Sequence, residues 1–148
     1  MISVQQHDFD VGREYQRLIE KNASDGAVVM FTGLVRDFNQ GFNVKGLHIE
    51  HYEGMTERAL EGIVNQAKER WQLGNVSVIH RVGDLQVNEQ IVFVGASSPH
   101  REQAFDAAQF IMDYLKTQAP FWKKELTQSG ERWVDANIKD TDAANRWQ

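Results

Sequence analysis

The sequence predicts an α+β fold with a mixed or antiparallel sheet. The predicted elements follow the order β-α-β-β-α-β-β-α-β-β, so strand pairs lie between the three helices. This order disfavours a doubly wound parallel sheet, in which single strands alternate with helices. Pro99 and Pro120 are the only prolines, and no linker or repeat divides the 148 residues. We therefore expect one domain that spans residues 1–148.

The longest predicted helix lies within residues 97–125. Ser98 is a suitable N-cap, and Pro99 fits the first helical position because its missing N–H costs nothing there. Pro120 ends the helix by excluding Ala119 from the α region. The buried face is predicted from apolar residues at helical spacing: Ala104, Ala108, Ile111 and Leu115.

The other elements are predicted from capping residues and hydrophobic periodicity. Asp10 caps a first helix that runs to about Lys21, with Tyr15, Leu18 and Ile19 on its inner face. A second helix starts near Gly54, and its apolar face comprises Ala59, Leu60, Ile63, Val64, Ala67 and Trp71. The predicted strands are residues 2–6, 27–36, 47–52, 76–82, 90–96, 121–127 and 132–135. We expect a polar loop at 37–46, a connection at 83–89 and a partly disordered tail at 136–148.

Positive residues flank the long helix. His100 and Arg101 lie at its start, and Lys116, Lys123 and Lys124 lie at or just past its end. A continuous helix separates His100 from Lys116 by roughly 24 Å, at about 1.5 Å per residue. One small ligand can meet both ends if a two-fold axis brings the start of one copy beside the end of another. We therefore hypothesise a site shared between the subunits of a homodimer.

Composition excludes several function classes. The net charge is −5, which argues against a general nucleic-acid surface, and local positive clusters suit a small anion or an acidic peptide better. No cysteine is present, so the chain offers no disulfide, thiolate metal site or sulfur nucleophile. No membrane-spanning run or signal peptide is visible, and the cytoplasm is the expected location.

Metal and nucleotide motifs are missing from the sequence. The histidines are His7, His48, His51, His80 and His100, and none belongs to an H-E-x-x-H motif. We interpret them as structural or surface residues rather than metal ligands, and we expect no cofactor. Neither G-x-x-x-x-G-K-[ST] nor G-x-G-x-x-G occurs, which excludes the common phosphate loops.

The residues alone leave two points open at the positive clusters. Arg101 opposes the dipole of its helix, so it can bind an anion or pair with Glu102 or Asp106. Lys116 can be an ordinary solvated lysine, or a lysine whose pKa is lowered by neighbouring cations and which serves as nucleophile or base.

Several stretches together resemble the large, catalytic subunit of molybdopterin synthase. They are FTGLVR (31–36), LHIEHYEGMTERAL (47–60), SVIHRVGDL (77–85), the whole of 97–125, and ERWVDA (131–136). The resemblance implies an α/β hammerhead fold and sulfurtransferase activity. In that family, sulfur passes from the C-terminal Gly-Gly thiocarboxylate of a ubiquitin-like small subunit to cyclic pyranopterin monophosphate, and the product is molybdopterin. It also implies a heterotetramer, in which a homodimer of large subunits carries one small subunit at each end.

The resemblance also implies site residues. Lys116 and Lys123 match the catalytic lysines. Substrate-binding positions are matched by Leu34, Val35, Arg36, His100, Arg101, Lys116, Lys123, Lys124 and Glu125, and pocket-shaping positions by Phe31 and Met112. Leu34 departs from the family pattern, which often has a basic residue there, so any contact at Leu34 has to be apolar or through the backbone.

Two other functions fit the same residues. The chain could dock a ubiquitin-like protein without performing chemistry, in which case the lysines would affect affinity and not turnover. It could also act on another anionic metabolite with no protein partner. Failure to bind a ubiquitin-like protein would favour that third function.

Overall fold

A computed structural model describes residues 1–39, 42–127, 130–134 and 138–148. The helices are α1 (Val11–Ile19), α2 (Met55–Arg70), α3 (Arg101–Gln118) and α4 (Ile138–Asn145). The strands are β1 (Ile2–Gln5), β2 (Ala27–Leu34), β3 (Phe38–Asn39), β4 (Phe42–His51), β5 (Val76–Arg81), β6 (Gly83–Gln86), β7 (Gln90–Ser98), β8 (Phe121–Thr127) and β9 (Gly130–Trp133). The predicted α+β class is confirmed.

The described strands form two sheets. The first has the order β1-β5-β7-β2, and it is mixed because β1 runs parallel to β5 while the other pairs are antiparallel. The second is antiparallel, with the order β3-β4-β8-β9 and with β6 also paired to β4. Helix α3 packs on β7 and β2 of the first sheet and contacts α2 and α4. Most of its buried residues, among them Phe110 and Ile111, belong to the larger of two hydrophobic clusters.

Helix α3 begins two residues later than predicted. Ser98 is the last residue of β7, so it cannot act as the N-cap, and His100 takes that position. The Ser98 hydroxyl donates to the carbonyl of Gln72 at 2.8 Å and accepts from the backbone N–H of His100 at 3.4 Å. The end is as predicted, with Ala119 as C-cap just before Pro120.

The tail, expected to be partly disordered, contains a fourth helix, and residues 136 and 137 of it lie outside the described chain. Trp147 packs edge-on against Trp71 and Phe110, with ring centroids 5.5 and 5.7 Å apart. Its indole Nε1 donates to Asp113 Oδ2 at 2.7 Å, and Arg146 pairs with the same oxygen at 2.9 Å. These contacts with α3 and with the end of α2 order a segment whose own sequence is mostly polar.

Three smaller predictions are also wrong. Strand β4 starts at Phe42, inside the expected loop of residues 37–46, of which residues 40 and 41 lie outside the described chain. The expected connection at 83–89 contains β6, because Gly83–Gln86 finds a partner in β4. Tyr15, predicted on the inner face of α1, is 37% exposed, whereas Leu18 on the same helix is buried.

Candidate active site

Helix α3 holds the predicted positive residues apart within one chain. It is continuous over 18 residues, which corresponds to about 27 Å. His100 and Arg101 are exposed at its start, and Lys116 is exposed in its last turn. Arg101 forms no ion pair with Glu102 or Asp106 in the described chain, so that alternative is not realised.

The turn after α3 brings two lysines together. The chain reverses at Ala119–Pro120 and enters β8, and Phe121 N donates to Ala119 O at 2.9 Å. Lys123 thereby returns to the end of α3, where its ammonium group lies beside that of Lys116. The two groups are close enough to share a hydrogen bond once one of them is neutral.

A buried threonine of another helix holds this turn through a hydrogen bond. Thr56, in the first turn of α2, is fully buried. Its hydroxyl donates to the carbonyl of Pro120 at 3.0 Å and accepts from the backbone N–H of Tyr52 at 3.0 Å. Thr56 thus ties the end of β4 and the start of α2 to the turn between the lysines. The sequence analysis did not identify it, because its partner lies 64 residues away.

Electrostatics distinguish Lys123 from its neighbours. The pKa of Lys123 is lowered to about 8. The largest cause is loss of water around its ammonium group, and the second is repulsion from Lys116. Asp140 of α4 acts in the opposite direction and raises that pKa. The sequence analysis did not assign a lowered pKa to Lys123, and the structure supports one there. Lys123 is only partly exposed on β8, whereas Lys116 is exposed in the last turn of α3.

One histidine borders the lysine pair. His80 of β5 is 2% exposed, and its ring stacks on Phe121 with centroids 3.8 Å apart and planes 20° apart. Its Nδ1 lies 2.8 Å from the carbonyl oxygen of Arg81. Burial, then the charge of Lys123, lowers the pKa of His80 to about 3, so the ring is neutral. The sequence analysis grouped it with the structural histidines, although it belongs to the stretch SVIHRVGDL.

The neighbours of Lys123 on β8 have different surroundings. Lys124 faces β9, where its Nζ lies 3.1 Å from Glu131 and 5.1 Å from the centroid of the Trp133 ring. Glu125 is 1% exposed, and its Oε1 lies 2.7 Å from the guanidinium of Arg132. Glu125 thus secures the β8–β9 hairpin beside the lysines, since β8 pairs with β9 at this level.

The segment after β2 borders a separate cleft of about 370 Å³. The cleft is lined by Leu34, Val35, Arg36, Asp37, Val87 and Asn88. Val35 is buried, and its N–H and C=O bond to Glu89 O and Asn88 N at 3.0 and 2.8 Å. This backbone bracing leaves Leu34 and Arg36 exposed on either side. The exposed side chain of Leu34 is therefore available for apolar contact. This agrees with the expectation that any contact at Leu34 is apolar or through the backbone.

The two predicted pocket-shaping residues differ in exposure. Phe31 of β2 is 43% exposed, while Met112 of α3 is 9% exposed and packs in the larger core cluster. A larger cleft of about 450 Å³ lies at the end of α1 and the turn after it, and none of the predicted site residues lines it.

Metal-ligand groups and membrane-spanning helices are both absent from the part of the chain that the structure describes. Its residues contain no group of three or more His, Cys, Asp or Glu side chains that could hold a metal ion. No helix within them is long and apolar enough to cross a membrane.

Comparison with known proteins identifies the family. A sequence model of the family described as MoaE protein matches residues 4–118. The chain belongs to this family. The molybdopterin synthase catalytic subunit of Vibrio cholerae is 56% identical over 147 residues, which cover 99% of this chain and 97% of the relative. That of Escherichia coli K12 is 58% identical over 139 residues, covering 94% of this chain and 92% of the relative.

The fold agrees with this assignment. A solved structure of the molybdopterin biosynthesis MoaE protein from Burkholderia ambifaria MC40-6 superposes with a TM-score of 0.85 at 48% identity. The match covers 99% of this chain and 97% of that one. The resemblance to the catalytic subunit of molybdopterin synthase, drawn from the sequence, is therefore confirmed.

Proposed function

We propose that this chain, as a catalytic subunit of molybdopterin synthase, transfers sulfur to cyclic pyranopterin monophosphate. The sulfur donor is the C-terminal thiocarboxylate of a ubiquitin-like small subunit, as the family resemblance implies. The observation that carries this proposal is the pair formed by Lys116 and Lys123, in which Lys123 has a pKa of about 8. Such a lysine is partly unprotonated near neutral pH, so it can accept and return a proton.

The lysine pair supports two steps of the transfer. In the first, the thiocarboxylate sulfur forms a bond to a side-chain carbon of the pterin while a carbon–oxygen bond at that carbon breaks. The displaced oxygen leaves with a proton or with the phosphate, and a thioester then joins the two molecules. In the second, water adds to the acyl carbon and the acyl–sulfur bond breaks. The partner keeps a carboxylate, and the sulfur stays on the pterin. Lys123 as an amine can take the proton of the attacking water, while the side chain of Lys116 can donate a hydrogen bond to the acyl oxygen as negative charge develops there.

The substrate phosphate needs a separate positive region. Arg36, His100 and Arg101 are exposed cationic or titratable side chains, and in one chain the length of α3 keeps His100 and Arg101 away from the lysines. We propose that a homodimer completes the site, with His100 and Arg101 of one copy beside Lys116 and Lys123 of the other.

The proposed protein partner has exposed apolar side chains to meet near the lysines. Tyr52 is 56% exposed, Met55 is 54% exposed and Trp122 is 48% exposed. Trp122 precedes Lys123 on β8, and its register partner Glu50 lies two residues before Tyr52. Large exposed aromatic residues of this kind are typical of protein interfaces.

A turnover assay tests the chemistry. The chain is mixed with cyclic pyranopterin monophosphate and a thiocarboxylated small subunit, and formation of the dithiolene is followed. Lys116→Ala and Lys123→Ala should each abolish turnover while the fold is retained. Lys68→Ala is the matched control, because Lys68 is also an exposed lysine in the last turn of a helix. Full turnover by either site variant would overturn the catalytic assignment, and small-subunit binding without any product would indicate a docking module.

Complementation tests the shared site. Arg101→Ala and Lys116→Ala chains are each expected to be inactive alone. If the site is shared, mixing them gives hybrid dimers in which one of the two sites is intact. Random exchange should then restore about a quarter of the wild-type activity. No recovery, despite exchange shown by native mass spectrometry, would place both residues in a site within one chain.

A further inference from the structure

His80 lies at the contact between the two sheets, on the face from which Lys123 projects. Residues two apart on a strand share a face, so Phe121 and Lys123 of β8 point the same way. His51 lies opposite Phe121 in the β4–β8 register. The stack of His80 on Phe121, with centroids 3.8 Å apart, therefore places the imidazole on the lysine-bearing face of the second sheet.

The bond to Arg81 fixes the tautomer of this histidine. A carbonyl oxygen only accepts, so Nδ1 of His80 donates across the 2.8 Å to Arg81 O and carries the ring proton. The carbonyl belongs to the end of β5, whose Arg81 side chain donates in turn to the carbonyls of Gln6 and Gln90. The ring is thus held in one orientation by the backbone and by Phe121.

The groups that act electrostatically on the ring are two lysines and a second histidine. Lys123 of β8, Lys116 of α3 and His51 of β4 act on His80, and Asp140 of α4 acts on Lys123. A protonated imidazole in this position would be a third cation beside two lysines. A neutral ring in the same position adds no third charge, and a charged group that is removed from water loses stability relative to its neutral form.

We propose that His80 is a positioning residue of the lysine site, whose buried neutral ring, stacked on Phe121, excludes water from Lys123 and so keeps that lysine able to lose its proton. This role deepens the proposed function and rests on it, because it gives Lys123 the protonation state that the transfer needs. His80 acts through Lys123 and does not itself touch the substrate.

Two substitutions separate the bulk of the ring from its hydrogen bond. His80→Asn keeps a donor for the Arg81 carbonyl, but it removes the ring and opens space beside Phe121. His80→Phe keeps a neutral ring of similar size but loses the donor, so the variant is expected to be less stable. His7→Asn is the control, because it makes the same substitution at an exposed histidine that has no ring contact with Phe121 in the described chain.

The first readout is the titration of Lys123 itself. Lysine is labelled with ¹³C at Cε, the Lys123 signal is assigned with Lys123→Arg, and its chemical shift is followed with pH. We expect a midpoint near the wild-type value in His80→Phe and His7→Asn, and a midpoint at least one pH unit higher in His80→Asn. An unchanged midpoint in His80→Asn, or an equal rise in His80→Phe, would overturn the proposal.

The second readout is the pH profile of turnover. A rise in the Lys123 pKa from about 8 to about 9 reduces the amine fraction at pH 7 about tenfold. His80→Asn should therefore lose about tenfold in kcat at pH 7 and recover above pH 9. A loss of equal size at every pH would indicate a purely structural role and contradict the proposal.

The two readouts keep this inference separate from the proposed function. If the wild-type protein gives no turnover, the function is wrong, and the titration still decides the role of His80. If wild-type turnover is present and the Lys123 midpoint does not move, only the role of His80 is wrong.

Discussion

Thr56 offers a direct test of how the lysine pair is held together. Thr56→Val removes the hydroxyl that donates to Pro120 O and accepts from Tyr52 N, both at 3.0 Å, while the volume of the side chain is kept. Each hydrogen bond contributes about 1 kcal/mol net, and a buried group left unpaired adds a further cost. We therefore expect the free energy of unfolding to fall by about 2–3 kcal/mol.

The same substitution should also reduce turnover. The lost bonds join α2 to the turn between α3 and β8, and this turn sets the distance between Lys116 and Lys123. We expect kcat to fall in Thr56→Val when it is measured well below the unfolding temperature. Thr56→Ser keeps both hydrogen bonds and should lose about 1 kcal/mol for one buried methyl group, with kcat unchanged.

The assay is urea unfolding at a fixed protein concentration, combined with turnover. The concentration is fixed because association of subunits would shift the apparent stability. Thr117→Val is the matched control, since Thr117 Oγ1 bonds to Asp113 O at 3.2 Å on an exposed part of α3. It should change stability by less than about 0.5 kcal/mol. The reasoning is refuted if Thr56→Val costs no more than Thr56→Ser.

Two further predictions concern stability. Lys123→Met should raise the free energy of unfolding by about 1–3 kcal/mol at pH 7. In the wild type, Lys123 binds its proton more weakly in the folded state, where its pKa is about 8, than in the unfolded state, where its pKa is 10.5, so the charged lysine destabilises the fold. This destabilisation of the wild type is lost as the pH rises from about 8 to 10.5. Urea unfolding should therefore give the two proteins similar free energies of unfolding near pH 10.5. A difference that stays constant with pH would contradict the lowered pKa of Lys123. Trp147→Ala should cost about 2–3 kcal/mol, because it removes two ring contacts and the bond to Asp113. Trp133→Ala is the control, because Trp133 is 52% exposed, and it should lower the midpoint of thermal unfolding far less than Trp147→Ala does. Equal losses in the two variants would show that Trp147 does not hold α4 in place.

Local signals in the sequence predicted the main elements well. Asp10 caps α1, and its carboxylate accepts from Arg13 N at 3.2 Å. Pro120 follows α3 immediately, and the spacing of Ala104 and Ile111 places both in the core. Capping, proline geometry and periodicity act over a few residues, so they can be read without knowledge of the rest of the chain.

The errors lie where a distant partner decides the structure. Strand β6 forms because β4 offers an edge at Gly46–Ile49, more than thirty residues away in the sequence. Helix α4 is ordered by Trp71, Phe110 and Asp113, which no local pattern in the tail reveals. Ser98 has the residue type of an N-cap, but its pairing with Ala27 keeps it in β7.

The sequence by itself determined the α+β class, the family and the lysines at the end of α3, because these depend on residue order and residue type. The tertiary structure decided the chemistry of those lysines. Lys123 has a lowered pKa since the turn at Pro120 places it beside Lys116 and burial removes its water. Thr56 and His80 join the site through contacts across 64 and 41 residues, respectively, and such contacts exist only once the two sheets and α3 have packed together.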